Sequence, residues 1–225
     1  MPSRTFADRT HAGRELARVL AGRGLDDPVI LALPRGGVPV ALEIARVLLA
    51  PVDLVLVRKI GVPGHREVAA AAVVDGGDAE IVYNTDVMRS ARLSGADIEI
   101  EAEAELAEIE RRREVYLGAR GRERLEGRTL VVVDDGIATG ATMRAALAAL
   151  KRKRPSRLIV AVPVAAPDVV ALLHKTVDEV VCLEAPDPFY AVGEHYCDFH
   201  QVTDAEVMEA LAEAAEFVRP MVEGR

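Results

Sequence analysis

Aromatic residues are scarce in this chain. Four Phe, four Tyr and no Trp make up 4% of the sequence, so the core must be built mainly from aliphatic side chains, chiefly Ala and Val. Cysteine is nearly absent as well. Cys182 and Cys197 form no CxxC pair and no disulfide framework, which points to a reducing cytoplasm. Positive charge is in deficit: 28 Lys and Arg against 36 Asp and Glu leave a formal net charge of −8. Nonspecific binding to nucleic acid or to an anionic membrane draws on excess cations, so neither is expected as a partner. Long apolar runs are also missing. The stretch from Gly36 to Val57 is interrupted by Glu43, Arg46, Pro51 and Asp53 and does not read as a membrane span. Met1 to Gly13 carries no apolar segment of the kind a secretion signal needs.

What remains is ordinary globular composition, half hydrophobic and 28% charged over 225 residues. A chain of that length buries about 70% of its unfolded surface and needs no disulfide or metal staple. Val29–Leu33 reads as a buried strand closed by Pro34-Arg35-Gly36-Gly37. An apolar helix carrying Val40, Ile44 and Leu48 follows, and Leu54–Val57 is the next strand, completing a βαβ unit. Gly61 to Arg66 reads as a mobile loop. Val68–Val74 and Ile81–Tyr83 flank Asp75-Gly76-Gly77-Asp78 as a hairpin. From Asp86 to Tyr116 the pattern is one long charged helix, with Ile98, Ala102, Leu106, Ile109 and Tyr116 on a single stripe and Glu108 placed to pair with Arg112. Strand and helix then alternate: Thr129–Val133, Gly140–Lys153, Leu158–Pro163, Pro167–His174 and Glu179–Leu183. A capping box, Thr203 to Glu206, opens a last helix with Val207, Leu211, Ala214 and Val218 on one face. The pattern predicts an α/β fold with a doubly wound, mainly parallel five-stranded sheet.

The most informative segment is Leu130-Val131-Val132-Val133-Asp134-Asp135-Gly136-Ile137-Ala138-Thr139-Gly140-Ala141-Thr142. It places two adjacent carboxylates at the carboxyl end of a strand, where open α/β sheets bind ligands. A small-residue turn and a helix N-terminus follow, and such a turn offers bare N–H groups to a phosphate. Carboxylates repel phosphate, so they need another partner, and a sugar diol is one. The combination suits a phosphorylated sugar. An Asp pair could also hold a divalent ion with no sugar involved, and a tight turn with capping carboxylates needs no ligand at all. A Walker loop is excluded because Ala141 stands where Lys would follow Gly140, and no GxGxxG occurs.

This segment resembles the signature of the type I phosphoribosyltransferases. The resemblance implies binding of phosphoribosyl pyrophosphate (PRPP), with Asp134 and Asp135 on the ribose hydroxyls and Ala138, Thr139, Gly140, Ala141 and Thr142 around the 5′-phosphate. Leu33-Pro34-Arg35-Gly36-Gly37 is similar to the family's pyrophosphate loop, with Arg35 and Gly36 as anion-binding residues. Val57-Arg58-Lys59 resembles the basic dipeptide that precedes the family's flexible lid, which puts Arg58 and Lys59 on pyrophosphate and the lid at Gly61–Glu67. Pro186 to Gly193 is similar to the hood of 6-oxopurine enzymes, where Phe189 matches an aromatic residue that stacks on the base. In those enzymes an acid commonly stands at the place of Ala138; alanine there is similar to adenine phosphoribosyltransferases.

The resemblance implies a single domain over residues 1–225, with a core of about 26–184, an inserted lid, hairpin and helix at 60–120, and a small hood at about 185–202 joined by the terminal helices. The implied reaction transfers the phosphoribosyl group from PRPP to a purine-like nitrogenous base and releases pyrophosphate, with Asp134, Asp135, Lys59 and Arg35 as the catalytic set. Mg²⁺ would arrive mainly on PRPP. No protein metal site is expected, since His195, Cys197 and His200 match no zinc spacing. Family analogy also implies a homo-oligomer. The alternative is a noncatalytic PRPP-binding regulatory protein.

Overall fold

Five runs rich in β-branched residues pair into one parallel sheet, and three more strands form a separate antiparallel sheet. The computed structural model describes residues 5–75 and 79–218. In chain order the elements are α1 (Arg9–Ala21), β1 (Pro28–Ala32), α2 (Gly37–Leu48), β2 (Val52–Leu54), β3 (Leu56–Val62), β4 (His65–Asp75), β5 (Ala79–Tyr83), α3 (Thr85–Ala91), α4 (Gly95–Leu117), β6 (Thr129–Val133), α5 (Ala141–Arg152), β7 (Arg157–Val164), α6 (Pro167–Leu173), β8 (Glu179–Glu184) and α7 (Asp204–Ala214).

The parallel sheet has the order β2-β1-β6-β7-β8. Side chains alternate across a strand, so each strand serves two interiors. Ile30, Ala32, Val131, Val133, Ile159 and Ala161 pack with Leu16 and Leu20 of α1, Ile44 of α2, Ile98 and Ile109 of α4, and Leu211 of α7. Val29, Leu31, Leu130, Val132, Leu158 and Val160 pack with Met143, Leu147 and Leu150 of α5 and Leu173 of α6. Every residue of β6 is buried, as expected of a strand covered on both faces. Each fully buried Leu or Ile here contributes about 1.5–3 kcal/mol of transfer free energy. The winding of the sheet switches sides between β1 and β6: β2 lies to one side, β7 and β8 to the other. The loops leaving β1 and β6 therefore diverge and open a crevice at their carboxyl ends.

The second sheet corrects the sequence reading. The parallel strand ends at Leu54, Val55 donates its N–H to the Ala32 carbonyl, and the chain continues as β3 of the antiparallel sheet β3-β4-β5. Arg58 and Lys59 lie inside β3, opposite Val73 and Ala72, rather than at the edge of the parallel sheet. The expected loop at Gly61–Arg66 is instead a tight hairpin, in which Val62 pairs with His65 across Pro63-Gly64. Pro supplies the fixed φ of one turn position, and Gly64, at φ +81°, supplies the left-handed one. The hairpin between β4 and β5 is present, although residues 76–78 of its turn lie outside the described residues.

The long helix also divides. Arg92 takes a left-handed φ of 55° after α3, and Ser94 starts α4 with a capping box to Asp97 that the hydrophobic periodicity did not reveal. The stripe Ile98, Ala102, Ile109 and Tyr116 is buried, with Leu106 half-buried beside it, and Arg112 bonds Glu108 at 2.7 Å. The Thr203–Glu206 capping box opens α7 as read. Val207, Leu211 and Ala214 are buried, whereas Val218 lies beyond the helix and is exposed. Among the described residues, no helix is long and apolar enough to cross a membrane.

Candidate functional site

β6 runs buried to Val133, and the next two residues carry Asp134 and Asp135 into the crevice beside the loop that leaves β1. The two loops are in direct contact: Leu33 N–H donates to the Val133 carbonyl at 2.9 Å. A Cβ on Gly37 would stand 2.6 Å from that same carbonyl oxygen, and one on Gly36 would stand 2.0 Å from Asp135 Oδ2. The paired glycines are thus demanded by close approach. Their absence of side chains lets Pro34-Arg35-Gly36-Gly37, whose Pro34–Arg35 peptide is cis, lie directly against the acid pair.

The two acids differ in their surroundings. Asp134, half-buried, accepts the Asp135 N–H at 2.9 Å. Burial, followed by the neighbouring Asp135 charge, raises its carboxyl well above the ordinary range. Asp135 Oδ2 accepts a bond from Arg9 Nε at 2.7 Å, and the Asp135 main-chain carbonyl accepts one from the Tyr196 hydroxyl at 2.6 Å. Burial and the Asp135 charge push the Tyr196 phenol far up, so it stays a neutral donor.

After the acids the loop is pinned at Ile137, whose N–H bonds the Val164 carbonyl and whose carbonyl accepts from Ala166 N–H. Ala138 and Thr139 are exposed. Gly140 sits at φ +70° with Val169 only 2.7 Å from where a Cβ would be, and Ala141 and Thr142 begin α5. The N–H groups of a first helical turn have no intrahelical acceptor. Neither threonine hydroxyl is engaged by another described residue. The turn therefore presents N–H and hydroxyl donors at the positive end of a twelve-residue helix, which is anion-binding chemistry.

The cations predicted from the sequence separate in space. Arg35 stays at the crevice, with Nη1 3.6 Å from Asp204 Oδ1 at the start of α7. Asp204 also accepts the Tyr116 hydroxyl at 2.6 Å; burial and that carboxylate push the phenol up to about 12. Arg58 is bonded to Glu105 of α4 at 2.6 Å. Lys59 is exposed and lines a cleft of about 320 Å³ between the antiparallel sheet and α5, shared with Ala141 and Arg144. Arg35, Gly36, Asp134, Asp135 and the 138–142 turn therefore converge on the crevice, while Arg58 is turned to α4.

The segment after β8 covers the crevice together with the chain's first described residues. Phe6 N–H donates to the His195 carbonyl, and Cys197 N–H returns to Phe6. Val192 packs on Gly136, so tightly that a Cβ there would meet its Cγ1 at 2.5 Å. Phe189 is half-buried and stacks on His195 with centroids 5.5 Å apart, whereas its neighbour Tyr190 is 75% exposed. Sequence reasoning missed Arg9. It lies 126 residues before its carboxylate partner, in a helix whose own pattern gives no sign of that contact.

Comparison with known proteins agrees with this fold. Two strains of Mycobacterium tuberculosis carry a protein provisionally named a phosphoribosyl transferase that is 44% identical over 209 residues. The match covers 93% of this chain and 47% of that protein, so the chain spans about half the length of the curated relatives it matches. The crystal structure of TT1426 from Thermus thermophilus is 46% identical, superposes with a TM-score of 0.81, and is covered over 98% of its length by 93% of this chain. The sequence profile of the phosphoribosyl transferase domain matches residues 8–200, a span that takes in the acid pair, both glycines of the β1 loop, the helix-opening turn and the cover formed after β8. With its five-stranded parallel sheet and this crevice, the chain belongs to the type I phosphoribosyltransferase family.

Proposed function

We propose that this domain transfers the 5-phosphoribosyl group from PRPP to a ring nitrogen of a planar, purine-like base and releases pyrophosphate. The observation that carries the reading is the contact of the Gly36 backbone with the Asp135 carboxylate in a crevice that also receives the donors opening α5. A sugar bearing anions at both ends and hydroxyls between them matches that order of donors and acceptors. Asp134 and Asp135 accept from the ribose hydroxyls, Ala138 to Thr142 receive the 5′-phosphate, and Arg35 with Gly36 faces the pyrophosphate.

In the reaction the C1–O bond breaks, with its electron pair leaving on the pyrophosphate oxygen. The lone pair of the base nitrogen forms the new C1–N bond, and that nitrogen's proton passes to solvent. Positive charge grows on the ribose ring as the bond breaks, as in other glycosyl substitutions. The adjacent carboxylates offset it, while Arg35 stabilises the charge that develops on the leaving group. In this reading Mg²⁺ would arrive on the diphosphate of PRPP, and among the described residues no three His, Cys, Asp or Glu side chains gather into a metal site. Mg²⁺ when bound neutralises charge on the pyrophosphate. Phe189, with one face on His195, lines the base end of the crevice in this reading, and Lys59 extends the cationic field beside α5.

Calorimetry with PRPP and Mg²⁺, followed by pyrophosphate release with a panel of bases, tests the reading. The expected result is saturable binding that is lost in the double variant Asp134→Asn, Asp135→Asn, together with turnover on at least one base. Binding without turnover on any base would make the domain a PRPP-responsive regulator. Absence of binding by the unmodified protein would overturn the reading.

A further inference from the structure

We infer that Arg9 is the positioning residue that fixes the Asp135 carboxylate and joins the N-terminal helix and the cover to the acid pair. This inference rests on the PRPP reading above. Arg9 is 7% exposed, and its Nε donates to Asp135 Oδ2 at 2.7 Å. Its Nη1 donates to the His200 carbonyl at 2.8 Å, and the guanidinium carbon lies 3.9 Å from the centroid of the Phe199 ring. Phe199 in turn stacks on Tyr196, with centroids 5.0 Å apart, and the Tyr196 hydroxyl returns to the Asp135 main-chain carbonyl at 2.6 Å.

These contacts close a ring of four residues, Asp135–Arg9–Phe199–Tyr196. One member holds the Asp135 side chain, another holds its main chain, and an aromatic face between them holds both holders. Such a ring leaves the carboxylate little rotational freedom. The grip supplies the pre-organisation that a sugar-binding acid needs before ligand arrives. The choice of Arg is explained by the geometry: a planar fork bonds in two directions while its face stacks, which a lysine ammonium cannot do. Gly36 crowds the same oxygen, since even a Cβ would not fit beside it. The carboxylate is thus confined by both Arg9 and the β1 loop.

A purely structural tie between helix and cover would affect stability alone. A positioning role also changes ligand affinity and its pH dependence, because Arg9 is one of the charges that hold down the proton affinity of Asp134 against burial and the Asp135 charge. PRPP binding with Mg²⁺ is therefore measured by calorimetry from pH 6 to 9 for the unmodified protein, Arg9→Lys, Arg9→Met and Phe199→Leu. Arg18→Met serves as a control on the same helix, because its exposed pair with Glu15 is remote from the acids. Arg9→Met is expected to bind about 30- to 100-fold more weakly, with its binding profile displaced to higher pH. Arg9→Lys keeps a charge and is expected to recover part of the profile but not the full affinity. Phe199→Leu keeps every charge and is expected to weaken binding by about three- to tenfold with no displacement of the profile. Arg18→Met should match the unmodified protein.

If the unmodified protein binds PRPP and both Arg9 variants bind equally well with the same profile, the positioning role is wrong and the PRPP reading stands. If the unmodified protein does not bind PRPP, it is the PRPP reading that fails. Should Arg9→Met fail to fold, Arg9→Lys and Phe199→Leu decide, and unchanged affinity in both overturns the inference.

Discussion

The Gly36 backbone and the Asp135 carboxylate are in contact across two loops separated by almost 100 residues in sequence, with a hypothetical Gly36 Cβ only 2.0 Å from Oδ2. Gly36 has an ordinary helical φ of −60°, so the requirement for glycine is one of space and not of backbone conformation. Gly36→Ala must therefore displace the carboxylate or the β1 loop. A misplacement of about 1 Å near reacting groups costs on the order of 100-fold in rate. The expected outcome is a fall of that size in pyrophosphate release, with far-UV circular dichroism unchanged. A variant with full turnover would show that the contact is incidental.

A second prediction concerns the join between the two sheets. Arg113 of α4 bonds Asp53 in β2 through Nη2, at 2.7 and 3.0 Å, and Asp75 at the end of β4 through Nη1, at 3.0 Å. Asp75 has no exposed surface and also meets the Arg122 guanidinium. Removing the central cation leaves two carboxylates buried without it, a change that typically costs about 3–5 kcal/mol. Arg113→Met is expected to lower the urea midpoint by a corresponding amount. Replacing Asp53 and Asp75 by Asn in the same variant should restore much of the loss, since the uncompensated charges then disappear. A midpoint unchanged by Arg113→Met would mean that the cluster carries no net stability.

Asp134 gives a pH-dependent prediction whose sign follows from its raised proton affinity. Burial and the Asp135 charge make the folded protein hold that proton more tightly than the unfolded chain does. Stability therefore falls as pH rises from the ordinary carboxylate range towards the raised folded value. Asp134→Asn removes the penalty. The variant should melt at a higher temperature than the unmodified protein at pH 7 to 8 and at a similar one near pH 4, while losing PRPP binding. Equal melting temperatures at both pH values would contradict the assigned environment. A group kept for ligand at a cost in stability is a common arrangement in active sites.

Much of the architecture was legible because its causes are local. The strands around Val131 and Ile159 announce themselves as short β-branched runs, and the Thr203–Glu206 cap needs only four residues to be recognised. The acid pair, the small-residue turn and the following helix lie within one continuous segment. Other features were hidden because their causes are distant. Asp53 and Asp75 look like surface or turn carboxylates until Arg113, 60 and 38 residues away, arrives to bury them. Pro63-Gly64 reads locally as part of a mobile loop; the pairing of Val62 with His65 makes it a tight turn. Arg58 and Lys59 were misplaced because Leu54 to Val57 is continuously apolar, and only Val55 marks where one sheet gives way to the other. Arg9 lies in an ordinary helix, and no local pattern connects it to Asp135.

The two-sided burial of β6 bears on how this strand is aligned with its neighbours. Val131 and Val133 serve one interior, Leu130 and Val132 the other. A shift of one residue would exchange a pair of valines for a leucine and a valine, a difference of one methylene on each side, or about 0.8 kcal/mol apiece. Greasiness alone is a weak arbiter of such a slip. The same slip would carry Asp135 away from Arg9, from Tyr196 and from the bare flank of Gly36 all at once. Alignment in the middle of the sheet is thus policed largely from its rim, by the polar contacts that hold the acids in place.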